Sequence, residues 1–390
     1  MGKEQANMFV RGFKGQDRIT FQIPNKKQYM ADLQEIENSV TGANDFIEHN
    51  TFILESVRQL DKAIDFFEQT YLDDAYYNLR SAIELSTTMV FFADMPPEKQ
   101  EKYRNAWEAQ QKFPMQSEML KKLTDSGEVF KDIRQKLPSF FYEAKELSNS
   151  LNKYVHKQGW ENLYVWRSSR PYTQNQVNKL VEAFVKHLKG CIRVLAILRL
   201  AIDPFPILLL DDEIRYRCFD VITNPYSERF VKKYIDDCTL NAYKTTDIYQ
   251  AYYNFFIKQE KKSEATFEVM QNQYVDLERI DEILQQAHLL SVYDIIAVLL
   301  FVACNKIVQI YLMGGLLRYF SNRKRPEHKR MFSMPEEKKY KLVESKTNQP
   351  YDQTFITVFN FKDKEYFVEH TEMLSEREYR DIQEFVQRNS

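Results

Sequence analysis

The stretch that decides the fold begins at residue 53 and reads Ile53-Leu-Glu-Ser-Val57-Arg-Gln-Leu60-Asp-Lys-Ala-Ile64-Asp-Phe-Phe67-Glu-Gln-Thr-Tyr71. Apolar residues recur in it every three or four positions, which is the spacing of one face of an amphipathic helix. The same spacing returns from about Asp74 to Phe92, after Pro138, and from Thr173 to Leu195. We therefore expect a mainly α protein whose N-terminal part is a helical bundle.

The ends of these segments predict how the chain is divided. Asp203-Pro-Phe-Pro206 should end the long helix that starts at Thr173, because proline cannot continue a helix. Four parts are expected, namely an N-terminal arm with the entry to the first helix (1–45), the helical bundle (46–203), a second helical region (204–330) and a small α+β appendix (331–390).

The second half carries a helix signal and then strand signals. Ser291-Val-Tyr-Asp294 has the form of a capping box, and Gly314-Gly315 could stop a helix, so helix is expected through residue 317. Residues 353–361 and 365–369 are typical of the two strands of a β-hairpin. Residues 375–388 should form a final helix. The predicted fold class is thus mainly α with a small C-terminal hairpin-plus-helix.

Composition limits the kinds of partner and chemistry. Lys and Arg number 54 and Asp and Glu 56, so the net charge of -2 gives no overall attraction to nucleic acid or membrane. Any RNA contact must come from a local positive patch. The chain has no Gly-rich phosphate loop, no H-E-x-x-H and no G-x-S-x-G, which removes sequence support for nucleotide hydrolysis, zinc proteolysis and serine hydrolysis. Neither a cofactor nor a metal is expected.

The cysteines and the apolar segments indicate a cytoplasmic protein. The four cysteines include no C-x-x-C pair, which fits neither a disulfide framework nor a zinc site. The first residues lack the apolar core of a signal peptide. Residues 295–304 are apolar enough to resemble a membrane span, but Asp294 and Lys306 flank them, and a charge near a bilayer centre costs roughly 2.5–3.5 kcal/mol. We expect a buried helix there and no membrane contact.

One polar stripe carries the side chains best suited to chemistry. On a helix that follows Pro138, the residues Lys145, Asn149, Asn152 and His156 fall at steps of three and four and so share a face. A neutral imidazole beside an amide and a cation could act as a general base or acid toward a ribose 2′-hydroxyl. A histidine near a helix C-terminus could equally cap the last carbonyls. The residues alone leave both interpretations open.

Two segments resemble the HEPN family of helical bundles. Leu151-Asn152-Lys153-Tyr-Val-His156 is similar to the family's Arg-Asn-x-x-x-His signature, and Tyr76-Tyr-Asn-Leu-Arg80-Ser-Ala-Ile-Glu84 is similar to its preceding helix. The resemblance covers about residues 50–200. It implies a homodimer in which two motif helices face each other and the composite cleft cuts RNA without metal. Asn152 and His156 are the positions that carry over as catalytic residues.

The motif departs from the family at its first position, where Leu151 replaces the arginine. The cation that would steady the scissile phosphate is therefore missing from its usual place. Lys153, or Arg80 from the neighbouring helix, could supply it, and both are candidate catalytic residues. Arg80 and Glu84, one helical turn apart, could also form an ion pair of little energetic weight.

Two further segments could bind RNA. Trp166, Arg167 and Arg170 lie in an aromatic and basic stretch suited to base stacking beside phosphate contacts. Arg323, Lys324 and Arg325 lie in a basic run that could contact phosphates. The alternatives are a loop whose aromatic side chains fold back on the core and ordinary solvated charge.

Two functions from different classes remain. By the resemblance, the first is an RNA-directed effector or toxin of a bacterial conflict system, such as antiviral defence against phage, acting as a metal-independent endoribonuclease. The second is a non-catalytic dimerisation or sensing module that binds a protein partner. Leu151 is the residue that favours the second.

Overall fold

The computed structural model describes residues 21–163, 173–218, 223–314, 316–324, 332–333, 341, 344 and 353–390. The chain divides into two compact units. Unit 1 contains the described residues up to Arg215 and those from 223 to Ile257. Unit 2 contains residues 216–218 and the described residues from Lys258 onward.

Unit 1 is built of helices. Its helices are α1 (Lys26–Glu37), α2 (Asn50–Glu68), α3 (Leu72–Asp94), α4 (Pro97–Glu108), α5 (Gln116–Ser126), α6 (Val129–Lys136), α7 (Pro138–Val155), α8 (Gln174–Arg199), α9 (Phe205–Leu208), α10 (Asp212–Arg215), α11 (Glu228–Phe230), α12 (Asp237–Tyr243) and α13 (Asp247–Phe256). A π-helical turn, Val231–Ile235, follows α11, and a 3-10 turn, Asn44–His49, precedes α2.

The core of unit 1 lies between α2, α3, α7 and α8. The residues of α2 at helical spacing are buried as predicted: Ile53, Val57, Leu60, Ile64 and Phe67. Helix α3 packs along α2 and also against α7 and α8. Where α2 meets α8, the rings of Phe67 and Phe184 stack with centroids 3.9 Å apart. Apolar burial along these stripes is the main force that holds the bundle together.

Local start signals fix two of the core helices. Pro138 is the first residue of α7, where its missing N–H costs no helical hydrogen bond. Thr173 and Gln176 form a capping box at the start of α8. Helix α8 ends at Arg199, before the predicted stop at Asp203.

The polar stretch around residues 98–125 folds as helices α4 and α5, although its periodicity did not predict them. Helix α4 has no fully buried residue, and α5 buries only Met119 and Leu123. These helices cover one side of α3. Their weak apolar stripes explain why the sequence pattern missed them.

Unit 2 combines short helices with one sheet. Its helices are α14 (Glu264–Asn272), α15 (Ile280–Gln285), α16 (Val292–Ala303) and α17 (Glu376–Asn389), and its strands are β1 (Ile307–Gly314), β2 (Leu316–Ser321), β3 (Phe332–Ser333), β4 (Phe355–Phe361) and β5 (Lys364–His370). The strand order is β3-β2-β1-β5-β4, and every pair is antiparallel. Helices α16 and α17 pack together, and their apolar side chains form one core with Ile310, Leu312 and Val368 of the sheet.

The prediction of helix through residue 317 is wrong. The capping box of Ser291 and Asp294 does start α16, but that helix ends at Ala303 and the chain continues as strand β1. Ile310 and Leu312 enter the core, while Tyr311 between them points to the opposite face of the sheet. A short apolar run suits either a buried helix or a buried strand, and here pairing with β5 decides for the strand.

The predicted mainly α fold, with a C-terminal hairpin and a final helix, is confirmed. Strands β4 and β5 pair as the hairpin, and Ser375 and Glu378 form a capping box at the start of α17. The predicted second helical region, 204–330, is divided between the two units. Its first part stays with unit 1 because the hydroxyls of Tyr226 and Tyr243 donate to carbonyls of α8 and of the residue that follows it.

None of the helices in the described part of the chain is both long and apolar enough to cross a membrane.

Candidate functional site

A groove in unit 1 brings together the residues of the predicted stripe. It has a volume of about 610 Å³ and is lined by side chains of α3, α5, α6, α7 and α8. Lys145, Asn149, Asn152 and His156 all line it, as their spacing on one helix face predicts. The stripe therefore borders a cavity large enough for a nucleotide-sized ligand.

His156 lies at the rim of the groove, directly after the last residue of α7. It is the C-cap residue, and its backbone N–H donates a regular helical hydrogen bond to the carbonyl of Asn152 at 2.9 Å. The side chain is exposed, and the ring forms no hydrogen bond with another described residue. The backbone of His156 thus caps the helix, while its imidazole is left available to a ligand.

Asn152 is half-buried, one helical turn before His156. Its Oδ1 is buried and has no hydrogen-bond partner among the described residues. Because buried polar atoms are nearly always paired, an unpaired amide in a groove marks a place where a ligand can bind. Asn152 is therefore suited to hold a substrate beside the imidazole.

Arg80 enters the same groove from α3. Its Nη2 lies 2.6 Å from Oε1 of Glu84, so the ion pair that the sequence left open is formed. Its Nε is buried and has no partner among the described residues. The side chain of Arg80 is 21% exposed, and it lines the groove together with Asn152 and His156. One of the two cations considered from the sequence is thus present at the site.

The other cation, Lys153, is exposed and does not line the groove. Leu151 is fully buried. The helix therefore directs the first position of the motif into the core, where a leucine is expected and an unpaired arginine would be costly. The departure from the family motif has a packing reason in this chain.

The groove is more basic than the chain as a whole. Lys121, Arg134 and Lys145 line it with Arg80, and Asp125 is the one carboxylate among the described lining residues. Ile83, Leu120 and Phe141 give it an apolar floor. Sequence reasoning missed Lys121 and Arg134 because they lie on α5 and α6, whose positions the apolar pattern did not predict.

Of the six predicted RNA-binding residues, two lie within the part of the chain that the structure describes. Trp166, Arg167, Arg170 and Arg325 lie outside the described residues. Arg323 and Lys324 are exposed in unit 2. Nζ of Lys324 lies 3.6 Å from Oε1 of Glu268 and 6.0 Å from the ring centre of Tyr274. The carboxylate of Glu268 therefore already neutralises part of the charge of Lys324.

A second polar cluster, which the sequence did not reveal, lies beside the groove. Ser150 Oγ is 2.9 Å from His187 Nε2, and the hydroxyl of Tyr76 is 3.3 Å from His187 Nδ1. Burial lowers the pKa of His187 to about 4, so its ring is neutral at neutral pH. The hydrogen bonds join α7, α8 and α3 and hold in place the helix that carries Asn152.

No group of three or more histidine, cysteine, aspartate or glutamate residues in the described part of the chain is arranged to hold a metal ion. Comparisons of the chain with protein-family models, with curated proteins and with solved structures gave no match.

Proposed function

We propose that this protein is an RNA-directed effector of a bacterial conflict system, acting in the cytoplasm as a metal-independent endoribonuclease through the groove of α7. The observation that carries the proposal is the position of Arg80. It lines the same groove as Asn152 and His156 and so offers a cation where the motif, with Leu151, lacks one.

The groove suits RNA in charge and in shape. Four cationic side chains and one carboxylate are among the described lining residues. Even with Arg80 paired to Glu84, the excess of cations favours a phosphodiester. The apolar floor formed by Ile83, Leu120 and Phe141 can accept a base that has left its stack. The protein as a whole has a net charge of -2, so this local patch would have to provide the attraction.

The chemistry requires only side chains of the chain and water. His156 takes the proton of a ribose 2′-hydroxyl, and the 2′-oxygen forms a bond to the adjacent phosphorus. The bond from phosphorus to the 5′-oxygen breaks, and that oxygen receives a proton from water. The hydroxide that remains takes the proton from the His156 imidazolium, which restores the neutral ring. Arg80 offsets the charge that develops on the phosphoryl oxygens, and Asn152 orients the strand. The products are a 2′,3′-cyclic phosphate and a 5′-hydroxyl end.

The direct test is RNA cleavage in EDTA. Purified protein should cut cellular RNA and leave cyclic-phosphate ends. His156→Ala should lower the rate about 10²-fold, as expected for a positioned acid or base. Arg80→Ala should lower it about 10²- to 10³-fold, as expected when charge stabilisation is removed. The rates can be measured on a labelled RNA strand by gel electrophoresis.

Two controls belong to this experiment. Lys153→Ala removes an exposed cation that does not line the groove, and His288→Ala removes an exposed histidine of unit 2. Both should leave the rate unchanged. If the parent neither cuts RNA nor arrests the growth of its host in a manner that depends on His156, the proposal fails. The groove would then belong to a non-catalytic dimerisation or sensing module, which the buried Leu151 also fits.

A further inference from the structure

A second cavity of unit 1, separate from the RNA groove, has the composition of a site for an organic cation. It has a volume of about 290 Å³ and lies where α2, α3, α4 and the 3-10 turn before α2 meet. It shares no lining residue with the groove of α7. It also plays no part in the proposed cleavage.

One side of this cavity is aromatic. Phe52, Phe92 and Trp107 all line it, and their ring centres lie 5.7 to 5.9 Å from one another. Trp107 is 47% exposed, which is unusual for a side chain of this size in contact with two phenylalanines. Indole is the aromatic ring that attracts cations most strongly. The aromatic wall is therefore suited to an alkylammonium group.

The rim of the cavity is acidic. Glu48, Glu55 and Glu108 line it with a single cation, Arg104. Arg104 forms an ion pair with Glu48, and the carboxylate of Glu55 accepts a hydrogen bond from the amide of Gln59 at 2.7 Å. Glu55 and Glu108 form no ion pair within the described part of the chain. Their negative charge favours a cationic ligand and disfavours an anion.

His49 adds an acceptor that lacks a donor. The residue is 1% exposed and lines the cavity. Its Nδ1 lies 3.2 Å from the carbonyl of Phe46. Burial lowers the pKa of His49, so the ring is neutral, Nδ1–H donates to that carbonyl, and Nε2 carries the lone pair. Nε2 is buried and has no hydrogen-bond partner among the described residues. A ligand N–H would satisfy it.

We propose that this cavity, called here the amine pocket, binds a primary alkylammonium ion. The alkyl chain would lie against Phe92 and Leu85, the ammonium group would contact the indole of Trp107 and the carboxylates of Glu55 and Glu108, and one N–H would donate to His49. A quaternary ammonium ion would have the charge but no N–H, and an alcohol would have no charge. These differences define the ligand class.

The test is to titrate the protein with n-butylammonium, tetramethylammonium and 1-butanol and to measure each affinity by isothermal titration calorimetry. The affinity should decrease in that order, and N-acetyl-lysine amide will show whether a lysine side chain serves as well as a free amine. Trp107→Ala should weaken n-butylammonium binding about 3- to 30-fold, the range expected for loss of a cation–π contact. Glu108→Gln should weaken it most at low salt.

Trp160→Ala is the matched control, because Trp160 is 68% exposed and does not line the amine pocket. It should bind like the parent. His49→Phe should remove the preference for n-butylammonium over tetramethylammonium. If that buried variant does not fold, the exposed Trp107 and Glu108 variants still decide the matter. Absence of n-butylammonium binding up to about 50 mM, equal binding of 1-butanol, or full binding by Trp107→Ala would overturn the proposal.

Discussion

Leu151 lies in the core of unit 1, in the segment that resembles the HEPN signature and at the position where that signature has arginine. Introducing the family's residue with Leu151→Arg should therefore damage the fold. Burying a guanidinium at this position would remove its hydration, and several kcal/mol of stability should be lost. Thermal denaturation followed by circular dichroism will measure the fall in melting temperature.

The control for this prediction is Lys153→Arg, which places an arginine at an exposed position two residues further along the same helix. Its melting temperature should equal that of the parent. A Leu151→Arg protein that also melted with the parent would contradict the buried placement of Leu151, and the arginine could then act in the groove.

His187 makes stability depend on pH. Burial lowers its pKa to about 4 in the folded protein, against about 6.5 in an unfolded chain. Below about pH 6.5 His187 is protonated in the unfolded chain, whereas in the folded protein it becomes protonated only below about pH 4. The free energy of unfolding should therefore fall as the pH falls through this window. The contribution of His187 should be on the order of 3 kcal/mol or less.

Urea unfolding of the parent and of His187→Gln at about pH 7 and about pH 5 checks this prediction. The parent should lose more stability than the variant between the two pH values. His49 has a lowered pKa too, but it is present in both proteins and its effect cancels in the comparison. His156→Gln, which changes an exposed histidine whose ring forms no hydrogen bond with another described residue, should behave like the parent. If the parent and His187→Gln lost the same free energy of unfolding between the two pH values, burial of His187 would not be the cause of the pH dependence.

At the scale of elements, one carboxylate joins the end of α3 to the start of α6. Asp94 Oδ1 accepts from the N–H groups of Glu128 at 3.2 Å and Val129 at 3.0 Å, and its Oδ2 accepts from Phe130 at 2.7 Å. A Cβ added at Gly127 would lie 2.5 Å from that Oδ2 and 2.8 Å from the backbone carbonyl oxygen of Leu123. Gly127→Ala should displace the carboxylate and cost about 1–2 kcal/mol, the usual effect of losing a helix cap.

A double-mutant cycle tests the cause of that cost. In an Asp94→Ala protein the carboxylate is gone and only the contact with the Leu123 carbonyl remains, so adding Gly127→Ala should cost less than it does in the parent. Chemical denaturation gives the four free energies. Equal costs of Gly127→Ala in the two backgrounds would show that its effect does not pass through Asp94. Because α6 carries Arg134, both single variants should also weaken the RNA binding that we propose for the groove.

At the scale of the whole molecule, we expect the chain to form a homodimer. The proposed chemistry has one His156 in each groove, and the family that the motif resembles completes its cleft with a second copy. Multi-angle light scattering should report about twice the chain mass of 46.7 kDa. A monomer at all working concentrations would remove the composite cleft and would leave each groove to act alone or to bind a protein partner.

The sequence by itself determined the elements whose signals are local. The stripe of α2 and the starts of α8, α16 and α17 lie where they were predicted. Hydrogen bonds between a cap and the third residue of a helix, and apolar residues one turn apart, depend on neighbours in the chain. The stripe of Asn152 and His156 could be recognised from the sequence for the same reason.

Tertiary structure alone decided the rest, because the deciding contacts join residues far apart in sequence. Strand β1 exists because β5 pairs with it across more than fifty residues. The groove gains Arg80 from α3 and Arg134 from α6 only because those helices pack beside α7. The burial of Leu151 depends in the same way on the surrounding helices. A periodic pattern shows that a helix has an apolar face, but the packing partners determine which polar side chains it brings together.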